Sequence, residues 1–238
     1  MSAPSFSALK KRSKNSLESL REKGAALNTK KVYKKDERFW EPTIDKEGNG
    51  SAIIRFLPSV DPEGDDFVRL WDHGFEGPTG LWYIENSRTS ILPAYSQPDP
   101  VNEYLRPFWK GSEADVEYAK KHNRRLHFIS NILVVRDPGN TDNEGKVFLY
   151  KYGNSIFKIM MDAAKEVKAD DIDDEDRVPV SPFDPFDGGA NFRLRIRNVN
   201  GQRNYLKSEF DRPSRIGTDA EVEAIWRKCH DLVPFVSE

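Results

Sequence analysis

The sequence predicts a mainly β chain with peripheral helices, an α+β fold built on a small β-barrel that a long irregular insertion interrupts. Three observations carry that expectation. Short runs rich in β-branched and aromatic residues recur along the chain with turn residues between them. Helix signals are few and fall outside those runs. The connections between runs are long and irregular, which suits a barrel with insertions.

Residues 1–35 carry many Ser and Lys and little hydrophobic periodicity, apart from Leu17 and Leu20 on one side of a short helical stretch, and read as a flexible basic arm. A core spanning 36–215 starts near Phe39-Trp40. Gly48-Asn-Gly50 forms a turn that launches a strand over residues 51–57, which Pro58 stops. Further strands are expected over 67–73, 81–85, 130–136, 146–152 and 191–199. Between Arg136 and Lys146 the turn-permitting run D-P-G-N-T-D-N-E-G predicts an antiparallel hairpin with a long loop. Asn154 is placed to cap a helix running to about Lys168, with Ile156, Ile159, Met160, Ala163 and Val167 inward. A second helix is expected over 113–121. Thr218 with Glu221 forms a capping box that opens a C-terminal helix within residues 216–238, its apolar face Val222, Ile225, Trp226 and Cys229. The stretch 83–107 has no period and is broken by prolines; nothing in its sequence names what anchors it. An oligonucleotide-binding (OB) barrel is one candidate for such a pattern.

Composition narrows the function. The apolar fraction is 37% and the charged fraction 32%, so the core is modest and the surface well solvated. No apolar run approaches membrane-spanning length and the N-terminus lacks a secretory stretch, so no membrane partner and a cytoplasmic location are expected. The chain has a single cysteine, Cys229, which rules out an intrachain disulfide and a C-x-x-C knuckle. The net charge of -2 conceals an asymmetry: Lys10, Lys11, Arg12, Lys14, Arg21, Lys23, Lys30, Lys31, Lys34 and Lys35 crowd the N-terminus, while Asp170 to Asp176 is almost wholly acidic.

The most suggestive chemistry is a row of rings. In a strand over 147–152, Phe148, Tyr150 and Tyr152 share one face with Lys151 beside them. Arg124 and Arg125 precede Phe128, and Arg193, Arg195 and Arg197 alternate in the next strand without matching acids nearby. Rings interleaved with guanidinium groups suit a half-wet surface that stacks unpaired bases and follows a phosphate backbone. The competing reading is that the rings are core and the arginines the solvated face of an amphipathic strand. Arg55, alone in an apolar strand, fits either a DNA contact or a buried ion pair. The acidic run could suggest a metal-dependent nuclease, but consecutive loop carboxylates point in divergent directions. No phosphate-cradling glycine motif is present, and no cofactor is expected.

The phrases G-N-G-S-A-I-I-R-F-L-P-S (48–59), H-G-F (73–75), L-W-Y-I-E (81–85), N-I-L-V-V-R-D-P (131–138), N-E-G-K-V-F (143–148) and G-A-N-F (189–192) resemble, in order, the core of the single-stranded DNA-binding, helix-destabilising protein of T-even-like bacteriophages. Lys10-Lys11-Arg12-Ser13-Lys14-Asn15-Ser16 is similar to that family's basic-and-serine motif. The resemblance implies an OB-type cleft holding a single strand and an N-terminal arm driving head-to-tail self-association. It implies a non-enzymatic protein that coats single-stranded DNA cooperatively, with little sequence preference, during phage DNA replication, recombination and repair in the cytoplasm of the infected host. Phage replication and recombination proteins would be further partners. By matching phrases, the cleft residues are Arg55, Trp82, Arg124, Arg125, Phe128, Tyr150 and Tyr205. Tyr152, Arg195 and Arg197 stand where the family also has ring or basic types, and Tyr95, Tyr104 and Tyr118 complete the set. The arm residues are Lys10, Lys11, Arg12, Ser13, Lys14 and Ser16.

Two departures stand out. The family pattern has a structural zinc held by one histidine and three cysteines. His73 matches the histidine, but no cysteine follows it before Cys229, and zinc needs about four ligands, so no metal is expected. The proline breaks with packing by Tyr95 and Tyr104 are expected to take its place. The family also carries an acidic, serine-rich tail that contacts replication partners. This sequence ends at Glu238, which reads as a truncated chain or a variant in which Asp170 to Asp176 takes part of that role. A rival function is a protein-interaction module whose basic arm binds acidic tails of replication proteins.

Overall fold

The computed structural model describes residues 36–90, 97–165 and 178–235, with residues 20, 21, 23 and 24. Lys10, Lys11, Arg12, Ser13, Lys14, Ser16, Tyr95 and Asp170 to Asp176 lie outside the described residues. From Arg38 onward the chain packs as one compact unit.

Eight antiparallel strands form the sheet: β1 (Gly50–Leu57), β2 (Phe67–Glu76), β3 (Trp82–Asn86), β4 (Arg125–Arg136), β5 (Val147–Gly153), β6 (Phe192–Val199), β7 (Gln202–Asn204) and β8 (Glu209–Phe210). Among the described residues from 36 onward, four helices are peripheral: α1 (Pro100–Leu105), α2 (Glu113–His122), α3 (Asn154–Ala163) and α4 (Asp219–Trp226). The strand order is β3-β2-β4-β1-β6-β7, with β5 on β4 and β8 on β6. The sheet is not closed among the described residues. Its β-rich antiparallel arrangement with helices at the margins is compatible with an OB-type fold.

β4 organises the sheet. Its first half, Arg125–Ser130, pairs with β2 and its second half, Asn131–Arg136, with β1, while β5 pairs along its other edge. The sequence places the start of this strand at Ser130. In fact the Arg-Leu-His-Phe stretch alternates with the pleat and pairs with β2 throughout. The β4–β5 hairpin forms with the expected long loop, turned by Gly145 at φ 78°.

The apolar residues divide between two faces. Ile54, Phe56, Phe128, Ile132, Tyr150, Tyr152, Phe192, Leu194 and Ile196 join Ile156 and Met160 of α3 in the main core. Val68, Leu70, Ile129 and Leu149 form a smaller cluster on the opposite face, closed by Leu232. The C-terminal segment is tied to the sheet by two reciprocal hydrogen bonds, Asn131 Nδ2 to the His230 carbonyl (2.9 Å) and His230 N–H to Asn131 Oδ1 (2.8 Å). Trp226 Nε1 adds a bond of 2.7 Å to the Ser59 carbonyl. The expected capping box at Thr218 and Glu221 is present, and a second, between Ser112 and Asp115, starts α2.

α3 departs from expectation at its N-terminus. Asn154 is its first helical residue, Gly153 holds the cap position, and no side chain caps it. Burial of Ile156 and Met160, rather than a cap, holds this end.

Candidate nucleic-acid interface

Paired residues in a sheet share a face, so the register sorts the predicted site residues. Of the row Phe148, Tyr150 and Tyr152 expected to be half-wet, the two tyrosines are core and Phe148 is half-buried against them; Phe128 is core too. Phe128, Tyr150 and Tyr152 are 2%, 3% and 2% exposed. Phe157 of α3 stacks on Phe128 at 4.0 Å between ring centroids, and Tyr152 sits 5.7 Å from Phe128 on its other side. The Tyr152 hydroxyl bonds Ser130 Oγ at 2.9 Å, so its polar tip is satisfied internally. Burial drives the Tyr150 and Tyr152 hydroxyls far above their ordinary ionisation range. Their burial corrects the half-wet surface expected of Tyr150 and Tyr152, and Phe128 is covered as well. Tyr205 is half-buried against the same core.

Arg55 is likewise interior and fully buried. Its guanidinium donates through Nη2 to the carbonyls of Asp184 (2.7 Å) and Phe186 (3.3 Å), pinning the 184–186 turn onto β1. Burial lowers its pKa, against a raising effect from Asp184. Arg55 is buried, as the ion-pair alternative requires, but its direct partners are backbone carbonyls and not a carboxylate.

A different ring row is exposed. One face of β2 presents Trp71, His73 and Phe75, and Phe75 begins a chain of rings. Its centroid lies 5.2 Å from Tyr83 of β3 and 4.8 Å from His122 of α2. His122 stacks on Tyr118 at 4.0 Å, Tyr118 lies 5.2 Å from Phe108, and Phe108 lies 5.2 Å from Tyr104 of α1. Tyr104 is 58% exposed, Tyr83 41% and Tyr118 39%, while Phe75, Phe108 and His122 are half-buried, so the row reaches the surface at its tyrosines. The structure thus brings together Tyr104 and Tyr118 from the predicted set. Phe75, Tyr83, Phe108 and His122 escaped sequence reasoning because they sit on four separate elements with no shared period.

Arg124 lies on this face too. Its guanidinium stacks over the Trp71 ring at 4.5 Å and Nη1 donates to Thr89 Oγ1. Arg125 is exposed and pairs in register with Asp72 on the other face, where Trp82 also points, 64% exposed. There Asp72 accepts from Lys151, and His127 Nδ1 lies 3.0 Å from its Oδ2.

The β6 arginines form a separate region. Arg193, Arg195 and Arg197 are exposed, alternating with buried Phe192, Leu194 and Ile196. The expected lack of nearby acids does not hold, since Arg193 bonds Asp211 and Arg195 lies 3.4 Å from Glu209. Strand β8 supplies Glu209 directly across from Arg193, a pairing too short to read in the sequence. Register sets Arg193 and Arg136 on either side of Ile53, and a shallow groove of about 250 Å3 runs between Arg136, Arg193 and Arg195.

The insertion has an anchor that the sequence did not reveal. His73, Ser87 and Asp99 are buried, and Asp99 Oδ2 accepts from Ser87 Oγ and pairs with His73 Nε2 at 2.8 Å. Asp99 Oδ1 accepts from the backbone N–H groups of Val101 (2.9 Å) and Asn102 (3.1 Å), capping α1. Burial alone would raise the Asp99 carboxyl, but these hydrogen bonds outweigh it and hold its pKa below the ordinary value. Tyr104 packs on Phe108 instead of closing this cluster, contrary to the expected role.

Residues 48–238 fit the family model described as gp32 DNA binding protein like. The chain belongs to this gp32-like family. It is 38% identical over 182 residues to the single-stranded DNA-binding protein of Enterobacteria phage T2, covering 76% of this chain and 57% of that protein. It is 37% identical over 194 residues to the single-stranded DNA-binding protein of Enterobacteria phage T4, covering 81% of this chain and 61% of that protein. The chain therefore spans about three-fifths of the length of the gp32-like relatives it matches.

Proposed function

We propose that this chain binds single-stranded DNA without catalysis, with the open ring row from Tyr83 through Phe75, His122, Tyr118 and Phe108 to Tyr104 as its base-stacking surface. The observation that carries this reading is the continuity of that row beside a stacked arginine, Arg124. Unpaired bases present π-faces to such a row regardless of sequence, whereas a duplex hides them, so preference for single strands needs no base-specific hydrogen bonds. Arg124, just before β4 on the face of the row, supplies a phosphate contact there, and Arg125 a basic group on the other face. Arg136, at the far end of β4, with Arg193, Arg195 and Arg197 of β6, supplies a second basic region. Binding the unpaired state lowers duplex stability by mass action, so the protein destabilises helices without nucleotide hydrolysis.

In this reading the basic segment Lys10 to Ser16 drives head-to-tail association along the strand, and the coated DNA serves phage replication, recombination and repair inside the infected cell, where replication and recombination proteins are its further partners. Deleting residues 1–20 is expected to abolish cooperative coating and to spare binding to a short oligonucleotide.

The deciding experiment is a fluorescence titration with oligothymidine and with a matched duplex at several salt concentrations, in the parent and in Tyr104→Ala with Tyr118→Ala. Quenching by the single strand alone, with a log-log salt slope of about -0.7 per phosphate contact, is expected in the parent and much weakened binding in the variant. Equal affinity in both would overturn the placement of the site.

A further inference from the structure

We propose that His73, Ser87 and Asp99 form a metal-independent clasp that does the work of the zinc in the family pattern this chain resembles, and that the clasp also positions Arg124 for its phosphate contact.

The donor set argues against a metal. Both Asp99 oxygens are engaged, Oδ1 by two backbone N–H groups of α1 and Oδ2 by His73 and Ser87. His73 Nε2 is committed to Asp99, so its Nδ1, buried and without a hydrogen-bond partner, is the one remaining ligand atom of this cluster. A tetrahedral site needs about four, and Ser87 offers a neutral hydroxyl where a zinc site favours a thiolate. Residues 91–96 read I-L-P-A-Y-S and contribute no histidine, cysteine or carboxylate. Among the described residues no group of three or more His, Cys, Asp and Glu side chains is placed to hold an ion. Cys229, the chain's one cysteine, follows α4, and burial pushes its thiol up to about 12.

The same residues perform the mechanical task of a metal by joining separate segments. His73 belongs to β2, Ser87 follows β3, and Asp99 is the cap of α1, so one carboxylate ties three elements together. Ser90 reinforces the joint, its hydroxyl donating to the Trp71 carbonyl at 2.7 Å. The network then continues outward. Ser87 Oγ bonds Thr89 Oγ1 at 2.9 Å, and Thr89 Oγ1 accepts from Arg124, which lies on Trp71. Asp99 is therefore a positioning residue, acting on DNA through Ser87, Thr89 and Arg124, and this second part rests on the proposed single-strand interface.

The test has two independent arms. In the first, the natively purified full chain is assayed for zinc by elemental analysis and its thermal unfolding is compared with and without a strong chelator. No stoichiometric zinc and an unchanged midpoint are expected. One equivalent of zinc, or a midpoint lowered by the chelator, would overturn the clasp. In the second, Asp99→Ala and the milder Ser87→Ala are examined by limited proteolysis of the 83–107 region and by oligothymidine binding across salt concentrations. Cleavage in that region should rise at least several-fold in both variants, and the salt slope should fall by about 0.7, the loss of one phosphate contact. Unchanged proteolysis in Ser87→Ala would overturn the clasp, and loosened proteolysis with an unchanged salt slope would overturn the positioning of Arg124. If the parent itself fails to bind oligothymidine, the interface reading falls while the metal and proteolysis arms still decide the clasp.

Discussion

Two aromatic rows begin on the same face of the sheet and meet opposite fates. The row Tyr150, Tyr152 and Phe128 disappears beneath α3, where Phe157 closes it off. The row Tyr83, Phe75, His122, Tyr118, Phe108 and Tyr104 continues beyond that cover and stays open. Ring content therefore does not distinguish a stacking platform from a core; coverage does. The buried row has an internally satisfied hydroxyl at Tyr152, while the open row leaves Tyr104 at the surface.

Breaking the buried row should have the largest effect, and on stability. Phe128→Ala is expected to cost about 3–5 kcal/mol in urea unfolding, through lost burial and the cavity left between Phe157 and Tyr152. If it instead unfolds normally and loses only DNA affinity, the division between the two rows is wrong. In the open row the consequences reverse. Tyr104→Ala or Tyr118→Ala should weaken oligothymidine binding by about 1–3 kcal/mol each, with stability changed by no more than about 0.5 kcal/mol.

Finer changes sharpen the contrast. Tyr152→Phe removes one buried hydrogen bond to Ser130 and should lower stability by about 1 kcal/mol, leaving the binding isotherm unmoved. Arg195→Ala with Arg197→Ala should reduce the salt slope by at most about 1.4, two contacts, with the single-strand preference kept because stacking lies elsewhere. The smallest effect concerns acid. Burial would raise the Asp72 carboxyl, but its bonds to His127 and Lys151 prevail and hold its pKa below the ordinary value. A group depressed in the folded state stabilises above its unfolded pKa and loses that contribution as pH falls through the folded one. Asp72→Asn should therefore be less stable than the parent at neutral pH, with the gap closing as the pH drops below about 4.

Much of the scaffold was legible because its signals are local. The β4–β5 hairpin announces itself in D-P-G-N-T-D-N-E-G, the Thr218 capping box in a four-residue spacing, and β6 in strict alternation of Arg with apolar residues. The start of β4 was not legible, since its polar residues are matched by β2, distant in sequence. The cap of α1 was hidden for a similar reason: Asp99 looks like one more turn residue until His73 and Ser87 are seen converging on it. The ring row had the weakest trace of all, being assembled from β2, β3, α1, α2 and the turn at Phe108.

By itself the sequence determined the β-rich class, the alternation within each strand, the helix starts that carry their own caps, and membership in the gp32-like family through phrases kept in order. Those properties depend on neighbours a few residues apart, or on the order of short phrases. Which face of a strand is dry, which arginine is buried and which rings stay open were decided by the tertiary structure alone. Period two specifies that residues share a face, but only the elements packed over that face, such as α3 on Phe128 or the 184–186 turn on Arg55, determine whether water or DNA can reach it.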